Sequence, residues 1–135
     1  MSGEPLHLRR ASDRAIICDR LLLGESFMQR FMGLMGRASM NEGEGLYLPT
    51  SSIHMMFMRF PIDALFLSRE GEDGRRTVVS VRPDLPTWRG MVMPVRGAEG
   101  VVEMPAGTLA RLGLAVGDEV VFEAASGAQR EISAE

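Results

Sequence analysis

The chain has 135 residues, 45% of them hydrophobic and 24% charged, a composition typical of one soluble globular domain. Its formal net charge of −3 argues against nucleic-acid binding, which usually requires a basic excess. No apolar run reaches the length of a membrane span or of a signal peptide. We therefore expect a single domain over 1–135, located in the cytoplasm, with an ordered core at about 5–124 and a frayed tail at about 125–135.

The first third of the chain predicts short strands and then a helix. Apolar runs at 6–8, 15–18 and 21–23 favour strands. Apolar residues then recur at helical spacing over about 26–36, with Ser26 as the N-cap.

Cys18 is the only cysteine, so it forms no internal disulfide. Its position in the apolar run Ala-Ile-Ile-Cys predicts a buried and chemically inert thiol.

The rest of the chain is mostly strand by its alternation and its turn residues. The glycine-rich turn at 71–74 predicts a hairpin, 82–90 an irregular loop, and about 106–112 a short helical turn. The pattern favours a mainly β fold, an antiparallel jelly-roll-like sandwich or barrel, because few helices separate the strands. The predicted strands are 46–48, 53–58, 62–67, 77–81, 92–95, 101–104 and 120–123.

The segment 51–67 places three charged or titratable side chains, His54, Arg59 and Asp63, inside the most apolar part of the chain. Such groups are costly away from water unless they are paired. Both faces of 53–60 are apolar, which predicts a central strand covered on both sides. His54 is then either a core histidine held by one backbone hydrogen bond or an imidazole that contacts a ligand or acts as a general base.

Two carboxylates lie in apolar strands, Asp63 and Glu103. Asp63 needs donors, and we expect it to pair with Arg59 or Arg37, as a structural ion pair or as part of a ligand site. A fold that brought His54, Asp63 and Glu103 together would offer metal or acid–base chemistry. The spacing of these residues follows no metal-binding pattern, so we expect no metal or cofactor.

Several motifs, taken together, resemble the bacterial and archaeal "domain of unknown function 192" family. The resemblance runs from about Leu6 to Glu123, and it implies a mainly β fold similar to a jelly-roll sandwich, with a helix on one side. It implies no activity, because none is established for the family; many members carry a secretion signal, which we do not find here. The matching stretches are RFMGLMGR at 30–37, Gly45–Leu46, HMMFMRFPIDALFL at 54–67, VEMPAG at 102–107 and Gly117–Asp118.

Two functions fit these observations. The first is binding of a small polar or anionic ligand in a pocket near His54 and Asp63. The second is a protein-interaction module that uses an apolar Met, Phe and Trp surface around Trp88 and Met91. No complete catalytic set is visible, so no enzymatic activity is expected, and the oligomeric state is left open. The ligand-binding candidates are His54, Arg59, Asp63, Arg37 and Glu103.

Overall fold

The computed structural model describes residues 6–24, 39–55 and 58–125, and strands dominate these residues. Among them there is one short helix, α1 (Thr108–Leu112), where the helical turn was predicted. The helix predicted at 26–36 lies outside the described residues. The strands are β1 (Leu6–Arg10), β2 (Ile16–Leu23), β3 (Glu44–Leu48), β4 (Ile53–His54), β5 (Ile62–Leu67), β6 (Arg76–Leu85), β7 (Met91–Val92), β8 (Gly100–Pro105) and β9 (Glu119–Ala124).

Seven strands close into a barrel in the order β1-β2-β3-β8-β5-β6-β9, and β4 and β7 form a separate two-stranded sheet. The predicted mainly β fold is therefore confirmed, with a barrel as its architecture. One pair departs from the expected antiparallel arrangement, because β2 and β3 run parallel. A parallel pair needs a crossover of about a dozen residues or more, and the chain between Leu23 and Glu44 is long enough to supply one.

Side chains of the first apolar cluster fill the barrel interior. They come from β1, β2, β5, β6, β8 and β9, mostly from alternate positions, as expected for strands whose side chains alternate between two faces. The exception is the adjacent pair Ile17 and Cys18, where the pairing of β1 with β2 is irregular. Leu109 and Leu114, in α1 and just after it, join this cluster, so the helix closes one end of the interior. The other buried members are Leu8, Ile17, Cys18, Leu21, Leu65, Leu67, Val78, Val102, Met104 and Val120.

A second apolar cluster lies on the outer face of β3, β5 and β8. All six residues of β5 are buried, and so are the first five of β8, because these strands are covered on both faces. Part of the cover comes from the two-stranded sheet and the chain that follows it, through Ile53, Val92, Met55, Met58 and Phe60. The strand members are Leu46, Leu48, Ile62, Ala64, Phe66 and Val101.

The predicted central strand at 53–58 is wrong in its described part. Only Ile53–His54 is strand, and it pairs with β7 rather than with the barrel. The Met58 N–H donates to the Met55 carbonyl at 3.0 Å, a contact that a continuous extended strand would not allow. Met55 and Met58, which alternation would place on opposite faces, are both buried.

The loop predicted at 82–90 is partly wrong as well, because β6 continues through 82–85. Its pairing with β5 is irregular where Ala64 is opposite Arg82 and Ile62 is opposite Leu85. Pro83, which has no N–H to donate, sits in this irregular part, as prolines inside sheets usually do. The predicted hairpin between the strands now numbered β5 and β6 is confirmed.

Candidate functional site

Asp63 is fully buried on β5, and its carboxylate accepts three backbone hydrogen bonds. Its Oδ1 accepts from the N–H of Asp84 at 2.8 Å. Its Oδ2 accepts from the N–H of Gly107 at 3.0 Å and from that of Leu109 at 2.8 Å. Gly107 is the N-cap residue of α1 and has no side chain to cap the helix, so Asp63 does this from a neighbouring strand.

These contacts give Asp63 a structural role. One carboxylate joins the irregular end of β6 and the start of α1 to the start of β5. The predicted arginine partner is not found in the part of the chain that the structure describes, where no arginine, Arg59 included, forms an ion pair with Asp63. Arg37, the other predicted partner, lies outside the described residues.

Glu103 is the second buried carboxylate, with a relative exposure of 6%. It lies on β8, directly opposite Leu46 of β3 and Ala64 of β5. Burial raises the pKa of Glu103 from 4.5 to about 7. No hydrogen bond or ion pair joins it to any other described residue, so nothing among them compensates for its removal from water.

Asp63 and Glu103 face opposite sides of one sheet. Residues directly opposite each other in a ladder point to the same face, so Glu103 shares the outer face with Ala64. By the same rule Asp63 shares the interior face with Met104, which belongs to the first cluster. The sheet therefore separates these two predicted site residues, and no side-chain site of the kind proposed from the sequence can hold both.

His54 and Arg59 lie on the two-stranded sheet and the turn after it, and both are exposed. His54 is directly opposite Met91 in the pairing of β4 with β7. We call the described residues of 51–61 and 86–98 the β4–β7 unit. Backbone bonds hold its two segments together: Met55 N–H to the Gly90 carbonyl at 2.8 Å, Trp88 N–H to the Met55 carbonyl at 2.9 Å, and Val95 N–H to the Ser51 carbonyl at 2.8 Å.

Large apolar side chains of the β4–β7 unit are exposed. The relative exposures are 55% for Trp88, 63% for Met91 and 69% for Met93. Met91 and Met93 flank the buried Val92, so they face away from the second cluster. Trp88 adopts a positive φ of 63°, a strained conformation for a bulky residue.

The loop that carries Trp88 is pressed against the body of the unit. A Cβ built on Gly90 would lie 2.7 Å from Met55 Cγ and 2.7 Å from the Pro86 carbonyl oxygen, so only glycine fits there. This close approach and the bond from the Trp88 N–H to the Met55 carbonyl join the backbone of the loop to Met55.

Sequence reasoning singled out Trp88 and Met91 but missed the charge of the β4–β7 unit. Three arginines, Arg59, Arg89 and Arg96, lie in 51–61 and 86–98, and these two stretches contain no aspartate or glutamate. All three are exposed, and none forms an ion pair with another described residue. Counting charges in the two segments separately would have revealed the pattern.

Cys18 is buried in the barrel interior, as predicted. Burial raises the pKa of its thiol to about 12, which leaves almost no thiolate at neutral pH.

Neither the surface groove of the structure nor a search for metal-binding groups of His, Cys, Asp or Glu supports a site at the five predicted ligand-binding residues. A surface groove is lined by Ser68–Gly71 and Gly97–Glu99, at the other end of β5, and contains none of the five. Within 6–24, 39–55 and 58–125, no three His, Cys, Asp or Glu side chains are grouped closely enough to hold a metal ion. No helix in these ranges is long and apolar enough to cross a membrane.

The fold and the candidate sites define a small β-barrel domain with a covered outer face and a cationic two-stranded appendage. The model of the DUF192 family, described as "Uncharacterized ACR, COG1430", matches residues 11–122, and the chain belongs to this family. The resemblance inferred from the motifs is therefore confirmed. The family is uncharacterised and brings no activity with it.

Similar proteins agree with this assignment. A UPF0127 protein of Thermococcus sibiricus is 36% identical over 109 residues, which cover 77% of this chain and 66% of the relative. UPF0127 protein PF1050 of Pyrococcus furiosus is 36% identical over 101 residues, covering 71% of this chain and 80% of the relative. The chain spans 62% to 66% of the length of the three Thermococcus relatives.

Two crystal structures share the fold. A protein of unknown function from Novosphingobium aromaticivorans superposes with a TM-score of 0.66 at 24% identity, covering 86% of this chain and 82% of that one. A Sinorhizobium meliloti protein, for which a role in transcription regulation has been suggested, superposes with a TM-score of 0.68 at 26% identity, covering 88% of this chain and 92% of that one.

Proposed function

We propose that the protein is an interaction module whose β4–β7 unit docks an acidic segment of a partner protein. The observation that carries this proposal is the coincidence of exposed apolar side chains with arginines that form no ion pair to a described residue, on two segments that hold no acidic residue. We call this set the cationic apolar surface: Arg59, Trp88, Arg89, Met91, Met93 and Arg96.

Its composition supports a protein partner. Tryptophan, methionine and arginine are enriched at protein interfaces, whereas aspartate and glutamate are depleted there. Trp88 has the properties of an anchor, because it is large, amphipathic and held by a backbone bond to Met55. Methionines adapt to different partner shapes because their side chains are unbranched and flexible.

The positive charge of the cationic apolar surface favours an acidic partner. The acidic residues of the chain all lie outside the stretches 51–61 and 86–98. An acidic, apolar-containing segment would gain from the three arginines here and be repelled by the rest of the surface. The transcription role suggested for the Sinorhizobium meliloti protein is less favoured for this chain, because its net charge is −3.

The pocket expected near His54 and Asp63 receives less support than the docking surface. Both Asp63 oxygens already accept backbone N–H groups, and its side chain faces the barrel interior while His54 is exposed.

Trp88 is the only tryptophan, so its fluorescence reports on the surface directly. We would titrate the protein with a peptide of alternating leucine and glutamate, and expect the Trp88 emission to shift to the blue as the indole leaves water. The double variant Arg89→Glu, Arg96→Glu should bind about tenfold more weakly or worse, since each exposed charge contributes up to about 1 kcal/mol. The matched control is Arg69→Glu with Arg82→Glu, exposed arginines outside the unit.

Three results would contradict the proposal. The peptide produces no shift, the control pair weakens binding as much as the test pair, or a leucine–lysine peptide binds equally well. Vesicles containing phosphatidylglycerol and a short DNA duplex are titrated in parallel. A shift with either of these and none with the acidic peptide would replace the protein partner with a lipid surface or a nucleic acid.

A further inference from the structure

The pairing of β4 with β7 brings a histidine and a methionine together on the exposed face of the two-stranded sheet. His54 lies directly opposite Met91. Side chains in this relation have Cβ atoms about 4.5–5.5 Å apart. Both side chains are exposed, whereas Ile53 and Val92, which precede and follow them in the ladder, are buried on the other face. The imidazole of His54 and the thioether of Met91 are therefore neighbours at the surface.

Met93 joins this pair from the next outward position of the same segment. The Val95 N–H donates to the Ser51 carbonyl at 2.8 Å, so the two segments stay joined beyond β7. Met93 has a relative exposure of 69% and lies diagonally across the ladder from His54. Residues on such a diagonal are roughly 7–8 Å apart, which long side chains can span. We call His54, Met91 and Met93 the imidazole–thioether cluster.

The cluster supplies the ligand types that select a cuprous ion. Thioether sulfur is a soft ligand that favours Cu(I), and neutral imidazole is a common ligand of copper. Water is a hard oxygen donor, so the solvent around the exposed cluster competes poorly for a soft ion. Exposure of all three ligands also leaves a bound ion open to exchange, which suits reversible holding of Cu(I).

The charge of the β4–β7 unit argues against other metal ions. Magnesium, calcium and manganese ions take oxygen ligands, carboxylates above all, and the stretches 51–61 and 86–98 contain no aspartate or glutamate. The three arginines of these stretches repel a divalent ion more strongly than a monovalent one. The unit therefore favours Cu(I) over zinc and over Cu(II).

We propose that the imidazole–thioether cluster binds one Cu(I) ion, with an imidazole nitrogen of His54 and the sulfur atoms of Met91 and Met93 as its ligands. The spacing of residues along the chain led us to expect no metal. The register between two distant segments is what assembles these ligands. The site shares its two methionines with the cationic apolar surface, but it does not depend on the docking of a partner.

We would titrate the full chain anaerobically with the acetonitrile complex of Cu(I) and set the affinity with bicinchoninate as a competitor. We expect one ion per chain and quenching of the Trp88 emission, because the Trp88 backbone is bonded to Met55, the residue after His54. His54→Gln, Met91→Leu and Met93→Leu each remove one ligand at an exposed position. Each should weaken Cu(I) binding about tenfold or more, since loss of an outer-shell partner alone costs about 10–100-fold in metal affinity.

His7→Gln and Met40→Leu are the matched controls, because His7 is the only other histidine and Met40 is a partly buried methionine outside the unit. Both should leave Cu(I) binding unchanged. Four results would overturn the proposal: the wild type binds no Cu(I), the triple variant of the cluster retains the affinity, a control weakens binding as much as the test variants, or zinc binds as tightly as Cu(I).

The copper site and the docking surface can fail separately. The pair Arg89→Glu, Arg96→Glu, which should weaken docking, keeps all three ligands and should bind Cu(I) at least as tightly as the wild type does. Loss of Cu(I) binding in this pair would contradict the ligand set. Met93→Leu keeps an apolar side chain, so it should retain binding of the acidic peptide while its affinity for Cu(I) falls.

Discussion

The sheet formed by β3, β8 and β5 carries one buried carboxylate on each face, and the two differ in their hydrogen-bond partners. On the interior face, Asp63 meets three backbone N–H groups and fastens α1 to the barrel. On the outer face, Glu103 meets Leu46 and Ala64 and has no donor in the described chain. The paired acid stabilises the fold, whereas the acid without a donor costs free energy in its charged form.

The largest expected change in the free energy of unfolding comes from a substitution on the interior face. Asp63→Ala would leave three backbone N–H groups without their acceptor, and each buried unsatisfied donor costs about 1–3 kcal/mol. We expect the free energy of unfolding to fall by at least about 3 kcal/mol, measured by urea denaturation. Asp63→Asn keeps one acceptor oxygen and should lose less. An alanine variant with an unchanged urea midpoint would contradict the anchoring role.

On the outer face, removing the carboxylate of Glu103 should stabilise the protein rather than destabilise it, and the size of the change should depend on pH. The pKa of Glu103 is raised by burial to about 7, against 4.5 as its ordinary value. The folded state thus holds this proton more tightly than the unfolded chain does. The resulting stabilisation is complete below about pH 4.5 and is lost as the pH rises through 7.

Glu103→Gln should remove this pH dependence. Its stability relative to wild type should rise between pH 4 and pH 8 by on the order of 3 kcal/mol, the equivalent of the rise in pKa. Chemical denaturation at both pH values measures the difference, with Glu99→Gln as the exposed control. A difference that is the same at pH 4 and pH 8 would mean that Glu103 has an ordinary pKa and hence a partner.

The smallest expected effect concerns solvent access to the two faces, which the rate of thiol labelling measures directly. Cys18 lies in the interior, and burial raises the pKa of its thiol to about 12, so a disulfide reagent should label the native protein far more slowly than the unfolded chain. In a Cys18→Ala background, Glu103→Cys should react faster than Cys18 does in wild type, because position 103 keeps a relative exposure of 6%, against 1% for Cys18. Equal labelling rates at position 103 and at Cys18 would show that the outer face is no more accessible than the barrel interior.

Sequence patterns were accurate where one physical cause acts locally. The turn at 71–74 predicted the hairpin of β5 and β6, and the stretch after Pro105 predicted α1 to within two residues at its start. Patterns failed where a distant contact decides. The alternation through 53–60 could not reveal that Met58 bonds back to Met55 and ends the strand. Nor could the position of Asp63 reveal donors that come from Asp84, Gly107 and Leu109.

The sequence by itself determined the family, the mainly β class, the burial of Cys18 and the presence of two acids in apolar strands. These follow from local composition and from the two-residue period of a strand, which any strand obeys. Only the tertiary structure decided that β2 and β3 run parallel, and that Asp63 and Glu103 lie on opposite faces of the same sheet. Register between strands fixes which side chains share a face, and register arises from pairings far apart in the chain. The strand register therefore decides which hydrogen-bond partners Asp63 and Glu103 can reach.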